Sequence, residues 1–288
     1  MVCPFPQPFV MAQTTLKRTP WSEDELPAAF DLSGLPRSAY IPILSVVYAL
    51  GLGLFLAVEP TKPWILLTVV ALVGLGADGI LRTHLRAQLR GLTDTAPFLF
   101  VPVLLALASG LFLEEVVHGY RAVPAVLGAS VLLAASLYGE YVSVLSHGPS
   151  YSMGRLLLNV LTYLAAFAFY AVVYAFDVEL LPSAFAVGLF STLLAVEVFR
   201  EAETDAYRAL VFSAVVGIVV GEARWALYFL PLEGFLAAVL LLLVFYQATG
   251  LIQHHLTGHL NRRIAAEFSL LTAAGLAVVI IGRVLSIG

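Results

Sequence analysis

The stretch RLLLNVLTYLAAFAFYAVVYAF, residues 155–176, decides the fold class of this chain. Its only charged side chain is Arg155, which stands at the first position. A helix that crosses the roughly 30 Å hydrocarbon core of a bilayer needs about 20 consecutive apolar residues. The stretch is therefore predicted to be a membrane-spanning helix.

Eight further stretches have a similar length and a similarly apolar composition. They cover residues 40–58, 63–82, 97–116, 122–145, 181–199, 208–229, 232–251 and 265–286. The connections between them are short, so neighbouring helices are expected to run antiparallel. Together the stretches predict an all-α fold, a polytopic transmembrane helix bundle of about nine spans. The span at 208–229 is the least regular, because Glu222 and Arg224 fall inside it.

The composition of the chain agrees with a membrane protein and excludes several other classes. Of the 288 residues, 60% are hydrophobic and 12% are charged, whereas soluble domains carry about 25% charged residues. The formal net charge of -4 argues against a nucleic-acid partner, because nucleic-acid-binding domains are usually basic. The single cysteine, Cys3, excludes an intramolecular disulfide and a cysteine-based zinc site.

Residues 1–39 differ from the rest of the chain and are interpreted as a cytoplasmic tail. Met11 is an alternative to Met1 as the true start. Ser22 and Glu25 have the spacing of a helix capping box, which predicts a short interfacial helix; a tail without regular structure is the alternative. Residues 40–288 are expected to form a single transmembrane helical domain.

Arginine and lysine indicate how the predicted bundle is oriented. One side carries Lys17, Arg18, Arg37, Arg82, Arg86, Arg90, Arg155, Arg200, Arg208, Arg262 and Arg263. The other side carries only Lys62, Arg121, Arg224 and Arg283. Because cytoplasmic loops of membrane proteins are enriched in these residues, the richer side is expected to be cytoplasmic. The N-terminus is then inside and the C-terminus outside, in a cell membrane that we take to be the bacterial inner membrane.

Charged residues near the cytoplasmic helix ends form the first candidate site. They are the carboxylates Asp78, Glu140 and Glu197 and the arginines Arg82, Arg155, Arg200 and Arg208. Asp78 and Arg82 are four residues apart, so they share a helix face. Ionisable residues in a span are functional candidates, because it is costly to expose them to lipid. Two interpretations stay open: ion pairs that join helices, or a polar chamber that binds an anionic headgroup or passes protons or cations.

Glu222 is the second candidate, within VVGIVVGEARW at residues 215–225. Gly217 and Gly221 have the G-x-x-x-G spacing that permits close approach of two helices. We expect a carboxylate beside such a contact to be buried between helices, covered by Trp225 on the same face. It is then either a proton-carrying or ligand-binding residue, or a neutral carboxyl that is hydrogen-bonded to a neighbouring helix.

The polar segment QHHLTGHLNRR, residues 253–263, is the third candidate. His255 and His259 are four residues apart, the spacing of two-histidine metal sites on a helix. A third ligand would have to come from elsewhere on the cytoplasmic side: His84, His147 or Glu267. The alternatives are a clamp for anionic lipid headgroups, formed by the two histidines with Arg262 and Arg263, and a plain connector. The metal interpretation is the least favoured.

Patterns typical of catalytic and cofactor-binding sites are missing from the sequence. It has no Walker A motif and no Rossmann glycine pattern. It also lacks the G-x-S-x-G motif of serine hydrolases. We therefore predict no catalytic residue, no cofactor and no metal, and an enzyme is the less favoured class.

Three features of the C-terminal third belong together. They are the acidic and arginine-containing helix end at 197–208, the Trp-Ala-Leu segment at 225–227 before Pro231, and the polar segment at 253–263. In these features residues 190–268 resemble a family of uncharacterised bacterial multi-pass membrane proteins, a domain of unknown function. The resemblance implies a membrane protein and brings no activity with it.

Three functions are compatible with these features. The preferred one is a non-catalytic membrane module or a subunit of a larger membrane complex, because the loops are small and no catalytic motif is present. The second is a transporter of a small molecule, an ion or protons, in which Glu222, Glu140 and Asp78 line the path. The third is a lipid-modifying enzyme that uses the cytoplasmic arginines and carboxylates. Membrane lipids are the expected partners, joined by other membrane subunits in the first case.

Overall fold

A computed structural model describes most of the chain beyond the N-terminal tail. The described residues are 40–82, 92–144, 151–176, 178–200, 206–230, 234–257 and 262–287. The predicted tail and interfacial helix at 1–39 lie outside these ranges, as do His84, His147 and His259.

The described residues fold into helices and contain no strand. The long helices are α1 (Tyr40–Ala57), α2 (Pro63–Arg82), α3 (Leu92–Val116), α4 (Ala122–Ser143), α5 (Tyr151–Ala175), α6 (Leu180–Phe199), α7 (Ala206–Tyr228), α8 (Gly234–Leu256) and α9 (Arg262–Ile287), with a short 3-10 turn at Gly119–Arg121. Within the described ranges, α1 to α8 are each long and apolar enough to cross a membrane. The predicted all-α polytopic fold is thereby confirmed. The ninth predicted span falls on α9, whose apolar part, Ala266–Ile281, is shorter than the others.

Helix α3 begins at Leu92, before the predicted start at residue 97. Pro97 and Pro102 both lie inside this helix. A proline removes the hydrogen bond from its own nitrogen to the residue four positions earlier, and its ring crowds that residue's carbonyl group. Each of the two prolines therefore costs α3 one helical hydrogen bond. The first turn is also tied to α2, because the Thr95 hydroxyl donates to Asp78 Oδ1 at 2.7 Å.

The helices pack around two hydrophobic cores that share α3. One core lies among α1, α2, α3 and α4, and includes the fully buried Tyr48, Leu52 and Leu133. The other lies among α3, α5, α6, α7 and α8, and includes Tyr170 and Phe245. Helix α9 packs on α8. Because the connections between consecutive helices are short, alternate helices begin at the same end of the bundle.

We call the end at which α3, α5 and α7 begin the basic end, because Arg82, Arg155, Arg200 and Arg208 all lie near it. It is the end that the arginine distribution predicts to be cytoplasmic.

Apolar side chains gain little by leaving lipid for protein, so close packing of small residues is needed to hold helices together in a membrane.

Such packing is clearest between α6 and α7. A Cβ atom built on Gly188 would lie 2.9 Å from the carbonyl oxygen of Gly217, and one built on Gly221 would lie 3.1 Å from that of Ala184. The two backbones are therefore in direct contact. The close approach predicted from the spacing of Gly217 and Gly221 is confirmed, with Gly188 as its partner on α6.

Candidate functional site

Four charged residues from three helices meet at the basic end and form what we call the ion-pair network: Glu140, Arg155, Glu197 and Arg200. Its deepest pair joins Arg155 on α5 to Glu197 on α6, through Arg155 Nη1 and Glu197 Oε1. Arg155 Nη2 also donates to the main-chain oxygen of Glu197 at 3.1 Å. Both side chains are almost completely buried.

Arg200 extends the network to α4. Its Nη2 lies 2.9 Å from Glu197 Oε1 and 3.0 Å from Glu140 Oε2. The same nitrogen donates to Ser143 Oγ at 3.2 Å. The guanidinium also stacks over the ring of Phe98 on α3, 4.0 Å from its centroid. Arg200 thus connects three helices, α3, α4 and α6, through one side chain.

The protonation of Arg200 is fixed by these neighbours. Burial lowers its pKa, but the Glu140 and Glu197 carboxylates raise it by more, so the pKa of Arg200 lies above its ordinary value. Arg200 is a permanent cation. The network thus contains two carboxyl groups and two guanidinium groups.

Glycine brings the helices of the network together. Gly139 stands immediately before Glu140, and Gly154 immediately before Arg155. A Cβ atom built on Gly154 would lie 3.3 Å from the carbonyl oxygen of Gly139. The absence of side chains at these two positions lets α4 and α5 touch, and this contact sets the depth at which the two charged residues enter the bundle.

Asp78 and Arg82 form a separate pair on α2. Arg82 Nε lies 2.7 Å from Asp78 Oδ2, at the i,i+4 spacing read from the sequence. Asp78 also accepts the hydrogen bond from Thr95. The Arg82 side chain is 38% exposed, so this pair lies at the surface of the bundle.

Glu222 is placed differently from its prediction. It is exposed on α7, whereas burial between helices was expected. The expectation failed because the close contact of Gly217 and Gly221 faces α6, and Glu222 projects from the opposite side of α7. Trp225 is exposed on the same side as Glu222, as their spacing predicts.

Arg224, two residues further on, is the charged residue that α7 buries. It is 3% exposed. Its guanidinium stacks on Tyr174 of α5, 4.2 Å from the ring centroid, and lies 5.7 Å from the ring of Tyr228. Within the described part of the chain, Nε and Nη1 have no hydrogen-bond acceptor. From the sequence, Arg224 was assigned to the outer side of the bundle, and its burial was not predicted. Because Arg224 is two residues from Glu222, the two side chains point to different sides of the helix, and this spacing could have indicated the burial.

The polar segment at 253–263 is described only in part. His255 is exposed near the end of α8 and lines a cleft with Arg208 of α7. His259 and the side chains of Arg262 and Arg263 lie outside the described residues. Over the described ranges, no group of three or more His, Cys, Asp or Glu residues is placed to hold a metal ion. Glu267, one of the suggested third ligands, is exposed on α9.

A comparison with known families gives a match that covers most of the chain. The family described as a protein of unknown function, DUF5656, matches residues 41–282. The chain belongs to this family. The match reaches from α1 into α9 and is far wider than the region 190–268 in which the sequence resemblance was seen.

No curated protein and no solved structure matches this DUF5656 chain. The family of unknown function and the apolar helices together fit an integral membrane protein of unknown activity. Any more specific role has to be argued from the arrangement of its own side chains.

Proposed function

We propose that the protein is a non-catalytic subunit of a larger membrane complex, and that a transmembrane helix of another protein packs on one face of α7. The observation that carries this proposal is the exposure of Glu222 within an otherwise apolar helix face. The other candidate functions receive less support from the arrangement of charged residues.

The surface in question, which we call the α7 outer face, consists of residues that recur every three or four positions. Its members are Val211, Val215, Ile218, Glu222, Trp225 and Phe229, and all are exposed. Residues at this spacing lie on one side of a helix. In a membrane an apolar stripe faces lipid as favourably as it faces another helix, so the charged Glu222 is the member that distinguishes this face.

Glu222 is the only charged member of the α7 outer face. It lies six residues before the end of α7 at Tyr228, or about 9 Å along the helix at 1.5 Å per residue. Charged residues at such depth are rare on lipid-facing surfaces and almost always face protein or water. We infer that a partner helix covers this face and supplies an arginine, a lysine or another hydrogen-bond donor to the Glu222 carboxylate.

A transport path finds less support, because its three predicted carboxylates have different surroundings. Glu222 is exposed on α7, Asp78 is paired with Arg82 at the surface of α2, and Glu140 is paired with Arg200 in the ion-pair network. A lipid-modifying enzyme also finds less support. The guanidinium of Arg155 and that of Arg200 are both bonded to carboxylates inside the protein.

The proposal can be tested by photo-crosslinking in membranes of the source organism. A photoreactive phenylalanine analogue would be placed at Ile218, on the α7 outer face, in an otherwise unchanged chain. The matched control carries it at Val131, which is exposed on α4 to a similar degree. We expect the first variant to give a discrete protein adduct and the control to give lipid adducts only.

A second variant checks the role of the charge. Glu222→Gln keeps the size of the side chain and removes its negative charge, so we expect a weaker adduct from position 218 and unchanged amounts of folded protein. Lipid adducts alone at both positions would overturn the proposal. An adduct that contains two copies of this chain would replace the foreign partner with a homodimer and would equally overturn it.

A further inference from the structure

A cleft opens between α7 and α8 at the basic end. It has a volume of about 380 Å³, and its polar lining consists of Tyr207, Arg208 and His255. Val211, Phe212 and Leu256 complete the wall. The cleft therefore places polar side chains and a permanent positive charge at the basic end, where α7 begins and α8 ends.

An apolar groove lies further along the same two helices. It has a volume of about 310 Å³ and is bordered by Val219 of α7, by Leu240, Val244 and Leu251 of α8, and by Leu276 of α9.

The polar residues in the groove are turned to the protein. Gln247 Nε2 donates to the carbonyl oxygen of Phe268 at 2.9 Å and to Thr272 Oγ1 at 2.6 Å. The Thr272 hydroxyl also donates to the oxygen of Phe268. These bonds between α8 and α9 occupy the amide and hydroxyl donors, so the groove offers a hydrocarbon surface.

The cleft and the groove lie at different depths on one helix pair. From Val211 to Val219 the distance along α7 is about 12 Å, and from Leu256 to Leu251 along α8 it is about 7.5 Å, at 1.5 Å per residue. One leaflet of the hydrocarbon core is about 15 Å deep, half of the usual thickness. A chain that starts at the cleft therefore reaches the groove within the same leaflet.

We infer that the cleft and groove between α7 and α8 bind one anionic glycerophospholipid, with its phosphate among Tyr207, Arg208 and His255 and an acyl chain along the apolar groove. Arginine is suited to phosphate because its fork of donors matches two phosphate oxygens. The apolar groove next to the cleft favours a lipid over a free phosphate, because a free phosphate has no hydrocarbon chain to fill the groove. This site goes beyond the proposed function, because it is built from Arg208 and residues of α8 and does not include Glu222; among the described residues, Val211 is the one that borders both surfaces.

The test uses the full chain in nanodiscs of phosphatidylcholine and phosphatidylglycerol in a 4:1 ratio, with retained lipids counted by native mass spectrometry. We expect one retained phosphatidylglycerol per chain. Arg208→Gln should weaken this retention about fivefold, which is the attraction that one interfacial arginine adds for anionic lipid. Arg121→Gln is the matched control, because Arg121 is exposed near the opposite end of the bundle, and we expect it to retain the lipid as the unmodified chain does.

The groove is tested separately. Val219→Trp fills it and should reduce the retention of long-chain phosphatidylglycerol, while the dioctanoyl lipid is held as before. Leu127→Trp, at an exposed position on α4, is the control and should change neither. Equal retention of phosphatidylcholine and phosphatidylglycerol would overturn the inference. Equal effects of Arg208→Gln and Arg121→Gln would also overturn it. Displacement of phosphatidylglycerol by millimolar inorganic phosphate would also overturn it, since the site would then recognise the anion alone.

Discussion

Arg155 on α5 and Glu197 on α6 are joined by two contacts. One is an ion pair between their side chains, and the other is a hydrogen bond from Arg155 to the main-chain oxygen of Glu197. With side chains only 4% and 0% exposed, the pair is shielded from water. A buried pair gains much of its energy only while both partners are present, because a single buried charge is strongly disfavoured.

Arg155→Met is therefore expected to lower the free energy of unfolding by about 3–5 kcal/mol, the usual cost of breaking a buried ion pair from one side. The variant leaves two carboxylates, Glu140 and Glu197, on the single cation Arg200. The double variant Arg155→Met/Glu197→Met leaves the balanced Arg200–Glu140 pair. Reversible unfolding in mixed detergent micelles should show the double variant to be less destabilised than the sum of the single ones, with a coupling of roughly 1–3 kcal/mol.

Arg82→Met serves as the control for this experiment. It breaks the ion pair with Asp78, in which the arginine is 38% exposed. Surface pairs contribute less than about 1 kcal/mol, so the loss should be small. Similar losses for Arg82→Met and Arg155→Met would contradict the difference in burial on which the prediction rests.

The contact between α6 and α7 gives a second prediction. Gly217→Ala forces a Cβ atom against the backbone of Gly188 and the side chain of Thr192. Overpacking of this kind costs roughly 1–3 kcal/mol. Gly128→Ala is the matched control, because its Cβ meets nothing within 4 Å. It should stabilise α4 by up to about 1 kcal/mol, since alanine favours a helix more than glycine does. Thermal unfolding in one detergent ranks the two variants, and equal stability would contradict the close contact.

The fold could be predicted from the sequence because the number and length of its apolar runs determine the number and length of its helices. A run of about 20 apolar residues has few structures available in a membrane other than a helix. The predicted span began at residue 97, whereas α3 begins at Leu92, because residues 92–96 are mostly polar and do not extend an apolar run.

The candidate site was only partly predictable, for two physical reasons. The spacing of Asp78 and Arg82 defines a pair within one helix, but the pair of Arg155 and Glu197 joins positions 42 apart, and only the packing of α5 on α6 brings them together. The second reason concerns α7, which is apolar around most of its circumference. The spacing of Gly217 and Gly221 indicates one side that meets protein, but Glu222 was assigned to that contact because it follows Gly221 directly. It was therefore expected to be buried, and the burial of Arg224 was missed.

Orientation is a prediction that the distribution of arginine makes and that labelling can test. In a Cys3→Ser background, cysteine would be placed at Tyr120, which is 84% exposed at the end opposite the basic end, or at the exposed Thr257 at the basic end. A membrane-impermeant maleimide added to intact bacterial cells should label Tyr120→Cys. It should label Thr257→Cys only after the membrane is opened. The reverse pattern would show that the cytoplasmic side was assigned wrongly.

Arg224 provides a prediction with the opposite sign to that for Arg155. Both arginines are buried, but Arg224 is held by the rings of Tyr174 and Tyr228 and has no carboxylate partner in the described part of the chain. Cation–π contacts contribute about 0.5–2 kcal/mol, whereas burying an uncompensated charge costs several kcal/mol. Arg224→Met, of similar length and without charge, should therefore raise the melting temperature by at least about 2 °C. A fall as large as that of Arg155→Met would instead reveal an anion held against Arg224 in the native protein.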